Sequence, residues 1–182
     1  KRKKIDSSKI ILPSIIVFFT VILFLSLPVL FNYNNLQNII EKKFYLEFKI
    51  NLKILSDISF KIFPRPHYLV NKANLDLNIE DDKSSIIEIK NLKIFIPTNK
   101  IYSKTEINIE GFEIHNTNIY FNIKDILDFR NHLYYKINKP IYIKKSKFFL
   151  LDKNKKTILI SPIRKIKYLI NNKNNSKELK IK

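Results

Sequence analysis

Cysteine, methionine and tryptophan are absent from the 182 residues, glycine occurs only at Gly111 and alanine only at Ala73. Without cysteine there is no disulfide framework, zinc ribbon or thiol nucleophile, and the chain carries no sign of its redox compartment. A single glycine excludes the Walker and Rossmann phosphate cradles, whose turns need several positions without a Cβ for close backbone approach. It excludes a G-x-S-x-G nucleophile elbow for the same reason. Acidic residues are scarce too, 16 against 34 Lys and Arg, so the formal net charge is +18. Ile, Lys, Asn, Phe and Tyr are all abundant, the profile of A- and T-rich codons, which makes part of that charge background. With 45% apolar residues the chain can fill a core, which excludes disorder throughout.

What is present begins with a long apolar run. Residues 10–31, IILPSIIVFFTVILFLSLPVLF, contain no charge and would make a helix about 33 Å long, enough for a hydrocarbon core of ~30 Å. The run is expected to be a transmembrane helix, with Ile10, Phe18, Phe19, Leu23, Leu27 and Phe31 among its anchoring side chains. Ser14, Thr20 and Ser26 can bond back to their own helix, Pro13 is expected in its first turn, and Pro28 is late enough to end it. Lys1, Arg2, Lys3, Lys4 and Lys9 precede the run while only Lys42, Lys43 and Lys49 follow closely, which favours a cytoplasmic N-terminus. A core helix would not be apolar on every face for six turns, and a cleaved signal peptide would have a shorter run.

Leu36, Ile39, Ile40 and Phe44 then fall at helical spacing, predicting a short amphipathic helix or linker over 32–46. From Glu47 the period becomes two. Phe48, Ile50, Leu52 and Ile54 alternate with polar residues, and the pattern returns at Phe60 and Ile62, at Leu75, Leu77 and Ile79, at Ile87 and Ile89, and at Ile107 and Ile109. These thirteen side chains are the expected apolar, lipid-contacting face. Further alternation at Leu92 and Ile94, Ile119 and Phe121, Ile141 and Ile143, and Ile158 and Ile160 completes an expected antiparallel meander. Phase shifts near Asn91, Gly111 and Lys145 predict bulges or bends, because one extra residue flips the inward set. An echo accompanies them: Asn71-Lys72-Ala73, Lys90-Asn91-Leu92 and His115-Asn116-Thr117-Asn118-Ile119 each place an Asn-bearing step before an apolar alternation. A short helix is predicted over 123–136, and NNKNNSKELKIK reads as a polar tail, disordered or truncated.

Catalytic chemistry finds no constellation. His67, His115 and His132 lack metal-ligand spacing, Asp81-Asp82 lies in a predicted turn, and Asp125 and Asp128 suit a helix N-terminus. Neither an enzyme nor a metal or cofactor site is expected. The lysines alternate with apolar residues, as on any solvated sheet face, and no nucleic-acid motif is present, so nucleic acid is not an expected partner.

The order of basic stub, apolar span, amphipathic helix and strands broken by a proline turn resembles the N-terminal region of the AsmA family. The closest local match is ISFKIFPRPHYLVNKANLDLNI, residues 58–79, with Pro64 and Pro66 in the turn and Ala73, Leu75 and Leu77 in the following strand. The resemblance implies a Gram-negative inner-membrane protein with a periplasmic β domain, of a group whose members form lipid-conducting grooves and influence outer-membrane assembly. The expected fold is mainly β: a transmembrane helix followed by a curved antiparallel sheet, open groove or jellyroll-like, with one or two short helices. Its expected parts are a cytoplasmic stub (1–9), the span (10–31), the helix or linker (32–46), the periplasmic β domain (47–170) and the tail (171–182). The chain starts at Lys1 and is short for that family, so it is expected to be a fragment, a reduced member or one unit of an assembly. Membrane phospholipid is the expected partner. The alternative is an envelope scaffold, or a subunit resembling those of lipopolysaccharide transport, that recruits proteins through a sheet edge.

Overall fold

A computed structural model describes residues 7–76, 86–101, 107–123, 126, 130, 131, 137–171 and 176–182, in two units, Lys1–Phe31 and Asn32–Lys182. In the first unit the apolar run is a helix, α1, from Ser7 to Ser26. Thr20 Oγ1 and Ser26 Oγ donate to the carbonyls of Ile16 and Leu23, both at 2.8 Å, so these hydroxyls are satisfied within the helix. Pro13 is the seventh residue of α1 and not part of its first turn. The helix stops five residues before the expected end: Leu27–Leu30 form a 3-10 turn containing Pro28, and Phe31 is extended. Among the described residues no helix is long and apolar enough to cross a membrane.

The second unit holds a helix, α2 (Gln37–Phe48), which runs two residues past its expected C-terminal end. Ile40, Phe44 and Phe48, spaced by four, form its fully buried stripe, and Lys49 ends it in the left-handed region at φ 53°. Phe48, expected on a strand, is therefore the last member of a helical stripe. A residue at that junction fits both periods, and the packing of its ring against Phe44 and Phe112, at 4.7 and 4.8 Å, selects the helix.

The strands that follow are β1 (Asn51–Ile54), β2 (Ile58–Lys61), β3 (His67–Val70), β4 (Ala73–Asp76), β5 (Ile86–Ile89), β6 (Asn91–Phe95), β7 (Gly111–His115), β8 (Asn118–Asn122), β9 (Ile141–Leu151), β10 (Thr157–Asn171) and β11 (Ser176–Ile181). An eight-stranded sheet has the order β11-β10-β9-β7-β6-β3-β2, with β8 also beside β9, and a three-stranded sheet has the order β1-β4-β5. Consecutive strands β1 and β2, β3 and β4, and β5 and β6 pass from one sheet to the other across one to three residues. The chain thus behaves as a few long strands, each folded over at a bend.

The bends are where the sequence echo lies. Asn71 and Lys72, Lys90, and Asn116 with Thr117 are the bending residues, and Asn116 takes φ 51°. Ser56 fixes the first two bends together: its hydroxyl oxygen accepts from the backbone N–H of both Asn71 and Lys72 at 3.0 Å, while Leu55 N–H donates to the Lys72 carbonyl. Ser56→Ala leaves both N–H groups without that acceptor. We expect a loss of about 1–2 kcal/mol of stability, read from thermal unfolding of the full chain in detergent.

The meander expected to be antiparallel throughout needs correction. β7 and β8 run parallel to β9 in a single continuous register, Phe112 opposite Ile141 and Asn122 opposite Leu151. Residues 123–140 supply the dozen or more positions that a parallel return requires. Of the helix predicted over 123–136, Ile123, Ile126, Arg130 and Asn131 lie among the described residues; Ile123 is in a turn and the other three are helical. Lys145, at φ 49°, lies at the phase shift expected in β9, with Ile143 on one side of it and buried Ser146 on the other. Residues 176–181, read from composition as tail, pair with β10 as β11, their alternating Leu179 and Ile181 continuing the sheet. Gly111 has a packing reason: a Cβ there would lie 2.6 Å from the Pro140 carbonyl oxygen.

Candidate functional site: an apolar hollow and a polar cleft

Bending the strands leaves a hollow of about 370 Å³ inside the fold. Leu75 of β4 and Ile87 of β5 line one side, Phe112 and Ile114 of β7 and Ile119 and Phe121 of β8 the next, and Ile143, Ile163, Tyr168 and Leu179 of β9 to β11 the rest. The lining is aliphatic and aromatic apart from Arg130 and the Tyr168 hydroxyl, and that hydroxyl donates to the Ile137 carbonyl at 3.2 Å. The volume lies within the ~300–1,000 Å³ typical of ligand sites. Leu179 and Ile181 remain 54% and 68% exposed, so the hollow opens beside β11.

Of the expected lipid-contacting face, the structure brings only Leu75 and Ile87 to this hollow. Phe48, Ile50, Leu52, Ile54 and Phe60 are buried, as are Ile107 and Ile109, and none of them lines it. α2 covers that end of the sheet: Glu41 Oε1 accepts from the Ile54 N–H at 2.7 Å, and the Phe44 and Phe48 rings pack against Phe112, the first tilted and the second edge-on. Ile62 is half-buried outside the hollow, Ile89 lines the neighbouring cleft, and Leu77 and Ile79 lie outside the described residues. The strands that do form the hollow, β7 to β11, carry the same alternation in sequence. Nothing in the pattern distinguishes a row sealed by a helix from one left open.

A second hollow, about 640 Å³, lies where β5 and β8 run side by side without a ladder between them. Lys72, Asn74, Glu88, Lys90, Asn118 and Tyr120 give it a polar lining around Ala73 and Ile89. Neither scanning model families nor curated proteins yields a relative: the chain matches none.

The other face of the large sheet is charged. The buried Glu113 carboxylate of β7 meets Lys144, has His115 Nε2 at 2.6 Å and Lys93 Nζ at 3.4 Å. Burial alone would raise its pKa, but the hydrogen bonds from Lys144 and His115, with their charges, outweigh this and hold the carboxyl below its ordinary value. Lys165 sits directly across from Lys144, and the charges of Lys167, Lys144 and Lys182 hold its ammonium below the usual lysine range. Nearby, burial lowers the pKa of His67, whose Nδ1 donates to the Arg65 carbonyl at 2.8 Å. The Arg65 guanidinium lies 3.7 Å over the Phe95 ring. Burial pushes the Tyr68 phenol up to about 12. No group of three or more metal-ligating side chains occurs among the described residues.

Proposed function

We propose that this chain is a single-pass, inner-membrane-anchored protein whose periplasmic β domain holds and guides phospholipid acyl chains, without catalysis, in the service of outer-membrane assembly. The observation that carries the reading is the apolar hollow open beside β11. An aqueous hollow so lined gains roughly 0.8 kcal/mol for each acyl CH₂ it takes from water. The anchoring part rests on residues 10–31, whose Phe18, Phe19 and Leu23 are each more than 60% exposed along α1 and need an apolar medium. The surplus of cations across β9, β10 and β11 suits a domain held close to anionic headgroups, at about 1 kcal/mol for each nearby Lys or Arg.

The direct test is purification of the full chain in mild detergent, followed by lipid extraction and mass spectrometry, with photolabelling by diazirine-tailed lipids in parallel. The expected result is bound phospholipid, and labels confined to the strands that line the hollow, β4, β5 and β7 through β11. A lipid-free protein that no acyl probe labels would end the proposal. Localisation is tested separately by a topology reporter fused after Lys182, with the periplasmic side expected.

A further inference from the structure

The apolar hollow and the polar cleft are consecutive sites along the same strands. Ala73 and Ile89, directly opposite one another, line the cleft, while the next pair on the same face, Leu75 and Ile87, lines the hollow. The polar members of the cleft, Lys72, Asn74, Glu88 and Lys90, alternate with these and so lie on the other face of the β4–β5 pair, where Asn74 is half-buried and the other three are exposed. On β8 the two spaces lie on opposite faces of the strand: Asn118 and Tyr120 are on the cleft, Ile119 and Phe121 on the hollow.

The polar groups of the cleft form a compact set. Asn74 is the cross-strand partner of Glu88, and one step further towards the bend Lys72 and Lys90 follow Ala73 and Ile89 on the two strands. Like charges held at adjacent cross-strand positions are destabilising unless something anionic lies between them. Among the described residues, Lys72, Lys90 and Glu88 have no ion-pair partner. Two cations with one carboxylate a step away match a phosphate carrying a tethered ammonium better than a purely anionic group.

We infer that the cleft at Lys72, Lys90 and Glu88 is the headgroup site of a zwitterionic aminophospholipid whose acyl chain occupies the adjoining hollow. This rests on the acyl-chain reading above and adds the headgroup class to it. Lys72 and Lys90 hold the phosphate, Glu88 the ammonium, and the amides of Asn74 and Asn118 border the glycerol. Because β5 and β8 lack a ladder, the lipid passes between them with no backbone pairing to break. The bend residues therefore serve two ends: they fold the strands over and they present the cations at the rim.

The experiment uses the full chain in detergent and three diazirine-tailed probes: phosphatidylethanolamine, phosphatidylglycerol and diacylglycerol. Wild type is expected to label most with phosphatidylethanolamine and least with diacylglycerol. In the double variant Lys72→Ala/Lys90→Ala, labelling by both phospholipids should fall about tenfold, to the diacylglycerol level. Glu88→Gln should equalise the two phospholipids while leaving phosphatidylglycerol labelling unchanged. As these side chains are exposed, thermal unfolding close to that of wild type checks the fold, and Lys72→Arg/Lys90→Arg should keep the labelling. Equal labelling of wild type by all three probes, or no response to the lysine variants, overturns the headgroup site while leaving the acyl-chain reading intact. No labelling by any probe overturns both.

Discussion

Ile143→Asp is expected to reduce the phospholipid recovered with the purified chain by about tenfold or more. Ile143 is the third residue of β9, opposite Ile166 and beside Ile114, with all three on the hollow, and it is half-buried, so the backbone ladder and most of the core survive the change. A carboxylate there keeps its water only while the hollow stays wet. An acyl chain sliding over it must strip that water without offering a hydrogen bond in return, a cost of several kcal/mol, which outweighs the gain from a handful of buried CH₂ groups. Ile143→Leu preserves the lining and should retain the lipid. Ile160→Asp, at a β10 position 57% exposed and outside the hollow, supplies the matched charge control and should also retain it. If Ile143→Asp and Ile160→Asp carry equal lipid, the hydrocarbon does not sit where β7 to β11 line the hollow.

The contrast between Phe60 and Phe121 shows how far the amino-acid pattern can be read. Both alternate with polar neighbours, and both are buried, at 1% and 3% exposure. Phe60 packs against Tyr33 and Tyr68 under the segment preceding α2, whereas Phe121 stacks on Phe148 and lines the hollow. Period two reports which face of a strand turns inward; it carries no information about what lies opposite that face. The bends were legible because they disturb the period: Lys90 separates Ile89 from Leu92, and Lys145 separates Ile143 from Ser146. Strand direction was not, since a parallel and an antiparallel neighbour of β9 bury the same side chains. The length of residues 123–140 was the one clue to a parallel return. β11 escaped notice for a different reason. Its backbone joins an edge already formed by β10, and its Leu179 and Ile181 remain more than half exposed, so composition there carries only a faint signal. The cleft lysines were visible as part of the Asn-bearing echo, yet only the fold brings Lys72 and Lys90, at the bends before β4 and after β5, to one cleft.

Glu113→Ala should be the most destabilising change on the charged face, by about 3 kcal/mol at neutral pH, or a drop of roughly 10 °C in the unfolding midpoint. The carboxylate is nearly buried, with 6% of its side-chain surface exposed, and it is all that separates Lys93, Lys144 and His115. Removing it leaves the Lys93 and Lys144 ammonium groups facing one another across β6, β7 and β9, beside His115. The partial exposure of Lys93 and Lys144, at 26% and 32%, places the expected loss at the lower end of the range for a broken buried pair. Glu113→Gln, which keeps an oxygen for His115 or Lys144 but no charge, should lose about half as much. The pH dependence separates this electrostatic cause from simple loss of packing. Since the folded protein holds the Glu113 pKa below its ordinary 4.5, the stabilisation is fully present above that value and is lost as pH falls through the lowered one. The difference between wild type and Glu113→Ala should therefore be constant from pH 7 to about pH 5 and shrink below that. Thermal unfolding of both proteins in the same detergent at pH 7, 5 and 3 measures it. A gap that stays the same at all three values would mean that Glu113 contributes by filling space, and that the cations around it do not depend on its charge.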